Sequence, residues 1–503
     1  MQPAMGSRIL GRGIVRKVME PQRKLGQVDI SEIEFDLQSR DEIPRLLMGL
    51  QYIYGFGEVR RKVFRILEKM IPPQTDWDNG RPGMQLWTIL VLGMLRLNCN
   101  WDFDKVKEMA DNHQTLRQML GHGIGDTECR YPLQTIEDNV SLFTPEILDK
   151  INEVVVKAGY GLLGTEPEKI QGRCDSFVVE TDVHFPTDIN LLLDAMRKIV
   201  TLLGRLCLSL GLTAWRQSAH IMRKLKRLYR AAQNQKRRSR KSRNKSEAAV
   251  IAAHQEYIEA ATGYVEKAQG TIALIREGAG VLDGLIADEI EKYFVHARRQ
   301  IDQIGRRVIG GQTIPHGEKV FSLFEEHTEW IQKGKAGVAQ ELGLGVCVME
   351  DQHGFILHHI VMQKVTDDCV AIPIVQETKK RYPTLWSCSF DKGFWTPENR
   401  RRLAKILGSV ALRSKGRPSE AEQLERSDPE YLRACRQHPA VESAINALEN
   451  HGLDRCLDHG IGGFRRYVAM AIVARNIQQL GNILFEIAKE SLEEQEEPRR
   501  KAS

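Results

Sequence analysis

The stretch Thr384-Leu-Trp-Ser-Cys-Ser-Phe-Asp-Lys-Gly-Phe394 predicts a buried strand that carries a carboxylate at its end. Its apolar side chains alternate with two serines, which is the period of two expected for a strand with one apolar face: Trp386, Cys388 and Phe390. Asp391 follows directly. Thr396-Pro-Glu then supplies an N-cap and a proline suited to the first turn, so a helix is expected over 397–407. A strand, an aspartate at its tip and a helix form a place where α/β folds put chemistry. The alternative is that Asp391 only caps the turn.

A second predicted strand is Asp175-Ser-Phe-Val-Val-Glu-Thr-Asp-Val-His-Phe185, with Asp175 at its head. One side of it carries Phe177, Val179, Thr181, Val183 and Phe185. Asp182 has the opposite parity to Asp175, so if one carboxylate faces a site the other faces away. Asp188 is a suitable N-cap for a helix over 189–206.

The region from 216 to about 308 changes character and is expected to be entirely helical. Its segment 223–245 holds twelve Lys or Arg among 23 residues and no acid. Because a solvated helix face normally mixes signs, this run favours a polyanion partner. A solvated linker is the alternative. A following helix over 247–307 is expected to form an arm like a coiled coil. The predicted DNA contacts in this run are Arg223, Lys224, Lys226, Arg227, Arg230, Lys236, Arg237, Arg238, Arg240 and Lys241.

Strand character returns after the basic region. Two apolar runs, 344–349 and 355–361, flank Glu350-Asp-Gln-His-Gly354 and predict a hairpin. A basic and aromatic stretch, 327–335, precedes the hairpin. A short strand is expected over 409–412, and a basic turn follows it. Four further lysines in and around these segments are predicted to contact DNA: Lys333, Lys335, Lys392 and Lys415.

The two ends of the chain carry weaker patterns. Residues 1–40 predict a flexible basic arm, and an amphipathic helix is expected over 42–71. Three short helices are then predicted over 84–97, 102–110 and 115–120. They fit either a helix-turn-helix that enters a DNA groove or a packed helical cap. A long closing helix is expected over 464–488, followed by a charged, disordered tail over 491–503.

Composition limits the class of protein. A chain of 503 residues exceeds one ordinary core and predicts roughly three domains. Nine cysteines without a Cys-x-x-Cys pair argue against a disulfide framework or a zinc knuckle and favour a reducing cytoplasm. The longest apolar run, 86–97, is too short to span a membrane, and the chain opens without the pattern of a signal peptide. The net charge of +6 is weak evidence by itself, and the distribution of the charges along the chain is more informative about function.

Three carboxylates are candidates for one site. Asp175 and Asp391 come from strands, and Glu442 lies beside a helical apolar stripe marked by Val441, Ile445 and Leu448. With the basic insert removed, the remaining strands and helices form a compact α/β unit. An oxygen-only pocket is what Mg²⁺ or Mn²⁺ prefers, and two such ions about 4 Å apart promote phosphoryl transfer. The alternative is that each carboxylate is a cap or a surface charge.

At these residues the chain resembles insertion-sequence transposases of the DDE type, in particular the ISNCY group. Several segments carry the resemblance: 175–188, 326–335, Glu341-Leu-Gly343, 389–394, 441–449 and 463–469. It implies an α/β fold with an RNase H-like catalytic core, a large helical insertion and an N-terminal all-α region. By position, Asp175 and Asp391 resemble the two catalytic, metal-binding aspartates and Glu442 the glutamate. Some relatives have a lysine where this chain has Glu449, so Glu449 stays a rival for the third ligand and Asp182 for the first.

The sequence therefore predicts six regions. The first two are a flexible basic arm over 1–40 and a helical DNA-binding or oligomerisation region over 41–165. The catalytic core is expected over 166–212 and 313–490, interrupted by the helical basic insertion over 213–312, and a disordered tail is expected over 491–503. The expected activity is that of a metal-dependent DNA transposase, which cuts insertion-sequence ends and joins them to target DNA with Mg²⁺ or Mn²⁺, two ions in all. No further cofactor and no membrane partner are expected. The resemblance implies double-stranded DNA as partner, a homodimer or larger assembly, and a place on the nucleoid in bacterial cytoplasm. The alternatives are a non-catalytic DNA-binding protein or a nuclease of the same fold.

Overall fold

The computed structural model describes residues 14–15, 17–19, 26–71, 81–123, 125–164, 168–241, 247–278, 280–332, 340–416 and 420–501. The chain forms two compact units. The first combines Met1–Asp182 with Ile331–Ser503, and the second is Val183–Trp330. The expected boundaries of the insertion were 213 and 312, so the second unit is larger at both ends.

The first unit opens with helices. Two short strands, β1 (Ile14–Val15) and β2 (Arg81–Pro82), pair in parallel. The helices are α1 (Ile43–Gly55), α2 (Gly57–Glu68), α3 (Leu86–Asn98), α4 (Phe103–Asn112), α5 (Gln114–Met119), α6 (Leu133–Val140) and α7 (Pro145–Leu162). The single helix expected over 42–71 is therefore wrong. Phe56 is extended, with φ −79° and ψ 104°, because two flanking glycines favour a break there. The three short helices expected after it are confirmed as α3, α4 and α5.

The second unit is a four-helix bundle. Its helices are α8 (Asp188–Ser209), α9 (Ser218–Lys241), α10 (Glu247–Gly278) and α11 (Val281–Ile304). The all-helical prediction is confirmed for the described residues, but the single helix expected over 247–307 is two, since α10 ends at Gly278 and α11 begins at Val281. The N-cap of α8 is Thr187, whose hydroxyl accepts from Asn190 N, and Asp188 lies in the first turn instead. The bundle core includes Leu192, Leu225, Tyr257, Ile272 and Ile290.

The first unit continues as one mixed sheet. Its strands are β3 (Ile170–Thr181), β4 (Glu329–Gln332), β5 (Gln340–Glu350), β6 (Ile356–Val361), β7 (Leu385–Phe390), β8 (Ser409–Leu412) and β9 (Arg455–Cys456). The order β4-β5-β3-β7-β8 runs across it, while β6 pairs with β5 and β9 with β3. β3 is antiparallel to β5 and parallel to β7, and β7 is parallel to β8. The β5–β6 pairing confirms the expected hairpin, and β8 has the expected bounds.

Both faces of this sheet are covered. On one face Phe177 and Val346 pack with the N-terminal helices. On the other face Cys174 and Met349 pack with later helices. Those that follow the hairpin are α12 (Asp367–Arg381), α13 (Pro397–Ile406), α14 (Glu420–Glu425), α15 (Pro429–Gln437), α16 (Ala440–Leu448) and α17 (Gly460–Lys501). Helix α13 confirms the expected helix, since the Thr396 hydroxyl accepts from Asn399 N.

Two expectations about the chain ends differ from the structure. Within the described part of the predicted arm, Ile30 and Ile33 are buried, and Gln51 Nε2 donates to both of their carbonyls at 2.9 and 2.7 Å. The rest of 1–25 lies largely outside the described residues. At the other end α17 runs to Lys501, where a disordered tail was expected. Glutamate-rich sequence extends an existing helix without a new nucleation cost.

No helix within the described residues combines the length and the apolar character that a membrane span requires.

Candidate active site

Strand β3 continues past the point where its neighbour β7 ends. The last residue pair between β3 and β7 is Cys174 with Phe390, after which β7 ends and β3 continues for seven residues. Asp175 follows Cys174 and Asp391 follows Phe390, so the two aspartates lie level with each other. Ligands of open α/β sheets bind beyond the carboxyl ends of parallel strands. The predicted pair of aspartates is thus brought together at such an edge.

Asp175 lies inside its strand and not at the head. The strand was expected over 175–185 but spans Ile170–Thr181, which makes Asp175 its sixth residue. The residues before it, Gln171, Gly172 and Arg173, have no apolar alternation, yet all three pair with β7. The sheet on both sides of the strand, and not its own pattern, sets this boundary.

The electrostatics of Asp175 report the neighbouring carboxylates. Burial is the largest cause that raises the pKa of Asp175 to about 6. The charges of Asp391, Asp367 and Glu442 also raise this pKa, in that order, while the Ser176 N–H that donates to Asp175 Oδ1 at 2.8 Å lowers it. Three carboxylates from three other segments therefore add to the effect of burial on Asp175.

Helix α16 brings Glu442 to this edge. Val441, Ile445 and Leu448 are buried as predicted, and α16 packs against β3. Glu442 lies in the first turn of the helix and is exposed. Its place beside the apolar stripe is as predicted, whereas the prediction that its carboxylate reaches the strand ends rather than open water stays a prediction, because the side chain is exposed.

His438 contacts the strand that delivers Asp391. Its Nδ1 is 3.0 Å from Ser389 Oγ. Burial lowers the pKa of His438, and the charges of Asp391 and Glu442 oppose that shift. The imidazole is thus held against β7, within range of the charge of two of the carboxylates.

Asp367 is a member of the cluster that the sequence analysis missed. It begins α12, and Ser176 Oγ donates to its Oδ1 at 2.6 Å. A Cβ built on Gly393 would lie 2.7 Å from Asp367 Oδ2, so a larger residue there would require the carboxylate to shift. The sequence Thr366-Asp-Asp368 is a helix-start signal that indicates α12, but Pro373 within the helix argues against a helix there.

Asp182 and Glu449, the two alternative metal ligands, lie directly after the ends of β3 and α16. Asp182 Oδ1 lies 3.7 Å from Arg455 Nη1 after the end of β3. Glu449 follows the last residue of α16 and begins a π-helical turn over Glu449–Leu453. The largest charges acting on Asp175 are those of Asp391, Asp367 and Glu442.

The donor chemistry of the cluster suits a hard cation. Carboxylate oxygens are the ligands that Mg²⁺ and Mn²⁺ prefer, and their mutual repulsion is offset by a cation. Across the part of the chain that the structure describes, no three His, Cys, Asp or Glu side chains converge closely enough to form a finished metal cage. The fit is therefore one of ligand type and charge, with Asp175, Asp391 and Glu442 as the residues that would hold the ions.

The predicted basic surface of α9 is exposed. Its inward face is apolar, with Ile221, Leu225, Leu228 and Ala232 buried. Its outward face carries Arg223, Lys224, Lys226, Arg227 and Arg230, and none of the five forms an ion pair with another described residue. The side chains of Lys236, Arg237, Arg238, Arg240 and Lys241 lie outside the described part of the helix, as do Lys333 and Lys335 entirely.

Two predicted DNA-contacting lysines flank the carboxylates. Lys392 follows Asp391 and is exposed. Lys415 is also exposed, and its Nζ donates to the carbonyl of Gly393 at 3.3 Å. Both therefore stand at the edge that holds Asp391.

The three short helices near the N-terminus pack as a core. Every residue of α3 is buried, so this helix cannot enter a DNA groove. Arg117 of α5 donates to the carbonyls of Ala110, Asp111 and Cys129, at 3.2 to 3.3 Å. Of the two alternatives, these contacts favour a packed helical cap.

The chain was compared with models of known protein families, with curated proteins and with solved structures, and none of the three comparisons gives a match. The geometry of the site and the resemblance in its motifs are therefore the basis for assigning an activity.

Proposed function

We propose that the protein is a metal-dependent DNA transposase of the DDE type. The observation that carries this proposal is that Asp175 and Asp391 lie level with each other where β7 ends and β3 continues, with Glu442 on helix α16, which packs against β3. These are the same three residues that the motif resemblance assigns to catalysis. A mixed sheet with a helical unit inserted after its first long strand supports an RNase H-like core.

The chemistry proposed for this site is phosphoryl transfer in two steps. Water attacks a phosphodiester at the element end, the P–O3′ bond breaks, and a 3′-hydroxyl and a 5′-phosphate result. The 3′-hydroxyl then attacks a phosphate of target DNA and displaces the target's own 3′-oxygen. When bound, a pair of Mg²⁺ or Mn²⁺ ions supplies activation of the attacking oxygen and stabilisation of the leaving one.

The chain's own residues have three parts in this proposal. Asp175, Asp391 and Glu442 hold the ions. Asp367 is positioned through Ser176 and adds negative charge that a cation offsets. The exposed cations of α9, with Lys392 and Lys415, neutralise DNA phosphates.

The experiment uses a labelled duplex that carries the DNA flanking the protein's own gene, where the ends of an insertion sequence lie. The purified protein is incubated with it in Mg²⁺, in Mn²⁺ and in EDTA, with and without a plasmid target. We expect strand cleavage only with a metal ion, and joining to the plasmid when it is present.

Asp391→Asn is the matched variant, since it keeps the size of the side chain and removes its charge. We expect it to bind the duplex as the wild type does and to cut at least 10³-fold more slowly, roughly the effect of losing a metal ligand. Binding without cleavage in any metal by the wild type would favour the non-catalytic alternative. Cleavage without joining would favour the nuclease.

A further inference from the structure

A small basic pocket lies beside the carboxylates, on the side of Lys392. Its volume is about 280 Å³, and its walls include Lys392, Arg413, Ser414, Gly416, Arg426 and Tyr431. Lys392 follows Asp391, and Arg413 follows Leu412, whose strand partner is Phe390. Lys392 and Arg413 therefore lie at the carboxyl ends of β7 and β8, next to Asp391.

Arg426 is held in place by a buried hydroxyl. Its Nη2 donates to Ser414 Oγ at 2.8 Å, and Ser414 is only 8% exposed. The Ser414 hydroxyl in turn donates to Glu422 Oε2 at 3.3 Å. This chain of hydrogen bonds fixes the guanidinium at the wall of the pocket before any ligand arrives, which lowers the ordering cost of binding.

The pocket keeps an excess of positive charge. Glu422, which accepts the hydrogen bond from Ser414, forms an ion pair with Arg400. Within the described residues neither Lys392 nor Arg413 forms an ion pair with an acid. Tyr431 forms part of the wall and is buried. Three cations around a volume of this size suit an oxyanion such as a phosphate group.

We propose that this pocket binds one backbone phosphate of DNA, adjacent to the phosphate attacked at the carboxylates. The proposal rests on the proposed function and deepens it, since it assigns Arg413 and Arg426 to a fixed point on the substrate strand. These arginines were absent from the sequence-based set of DNA contacts, which included Lys392. A free phosphate offers the same chemistry, and the test separates the two sources.

The test is a scan with DNA in which single phosphates of the flanking-DNA duplex are replaced by neutral methylphosphonates. We expect wild-type binding to weaken about tenfold at one position, because the replaced phosphate can no longer accept a charge-assisted hydrogen bond. Arg426→Gln should bind the unmodified duplex about tenfold more weakly and show no further weakening at that position. Arg413→Gln is a second variant with the same expectation.

Arg433→Gln is the matched control. Arg433 is exposed on α15 and does not line the pocket, so this variant should bind like the wild type and keep its sensitivity to the modified phosphate. Circular dichroism and melting curves of each variant establish that it is folded.

Three outcomes overturn the proposal, and they differ from failure of the proposed function. If Arg426→Gln and Arg413→Gln bind DNA as the wild type does, or bind still more weakly when the sensitive position is modified, the pocket does not hold that phosphate. If inorganic phosphate binds the wild type but not Arg426→Gln, while no DNA position is coupled to Arg426, the ligand is a free phosphate. If the wild type binds no DNA under any condition, the proposed function itself fails.

Discussion

Asp175 lies immediately after the last residue of β3 that pairs with the neighbouring strand β7. Because β7 ends at Phe390, Asp175 pairs with Val348 of β5 on one side and has no partner in β7 on the other. Burial and three nearby carboxylates then raise its pKa to about 6, while Asp391 joins it from the end of β7. The early end of β7 thus places Asp175 and Asp391 level with each other at this edge of the sheet.

A second buried carboxylate, Glu350, allows a test of stability against pH. Arg173 Nη1 lies 3.2 Å from Glu350 Oε2, but burial outweighs this cation and raises the pKa of Glu350 to about 7. A raised pKa means that the folded protein holds a proton that the unfolded chain releases. The free energy of unfolding therefore falls as pH rises from about 4.5 to 7, by on the order of 3 kcal/mol from this group.

Glu350→Gln should remove that component. Measured by urea unfolding at several pH values, the stability of the variant relative to wild type should increase between pH 4.5 and 8. Glu68→Gln, at an exposed position at the end of α2, is the control and should run parallel to wild type. A constant difference between Glu350→Gln and wild type across this range would show that Glu350 is ionised throughout.

The sequence predicts three of the four carboxylates but not Asp367. Asp391 follows a strand with clear alternation, and Glu442 lies beside a regular helical stripe. Asp367 depends on α12, a helix with an internal proline, and on Gly393, which leaves room for its carboxylate. Such an approach between distant segments has no local pattern.

At the scale of elements, strands and helices with a clean period were predictable and the breaks within helices were not. The hairpin β5–β6, strand β8 and helix α13 follow from alternation, turn residues and an N-cap. Strand β7 is correct as an element, but Trp386 is 38% exposed, with Lys169 Nζ 4.1 Å from its ring centroid. The breaks between α1 and α2, and between α10 and α11, were missed because apolar spacing continues across them.

Two glycines set how closely α1 and α17 approach. A Cβ on Gly481 would lie 1.8 Å from the carbonyl oxygen of Arg45, and a Cβ on Gly49 would lie 2.2 Å from that of Ile477. Neither backbone can move without separating the helices. Gly481→Ala should therefore destabilise the protein by about 1–3 kcal/mol in urea unfolding, as overpacked sites do.

Gly270→Ala is the matched helical control. Nothing lies within 4 Å of a Cβ at Gly270 in α10, so alanine should be neutral or stabilise that helix by up to about 1 kcal/mol. If both variants are destabilised equally, close helix packing is not the reason for the glycine at 481.

At the scale of the whole molecule, the sequence predicted a helical unit inserted in an α/β unit but not where it starts. The second unit begins at Val183 and includes α8, which the sequence analysis assigned to the catalytic core. Helix α8 has one apolar stripe, and its buried residues pack with α9, α10 and α11. An amphipathic pattern shows that a face is buried but not which partner buries it.

DNA binding by helix α9 of the bundle can be tested through its dependence on salt. Each DNA phosphate that a variant no longer neutralises should lower the slope of log affinity against log salt by about 0.9. The double variant Arg223→Gln with Lys226→Gln should therefore flatten the slope by up to about two, measured by filter binding between about 50 and 200 mM salt. The control is Lys292→Gln with Arg298→Gln, two exposed cations on α11, and its slope should match wild type. Equal slopes for all three proteins would make α9 a solvated helix that does not bind DNA.

The central claim is that Asp391 is a metal ligand in a site that cuts DNA. The most direct measurement is cleavage of the flanking-DNA duplex by Asp391→Cys in Mg²⁺ and in Mn²⁺. A thiolate is a softer ligand than a carboxylate and suits Mn²⁺ better than Mg²⁺. We expect no cleavage by this variant in Mg²⁺ and partial recovery in Mn²⁺, whereas cleavage in Mg²⁺ at the wild-type rate would show that Asp391 is not a metal ligand.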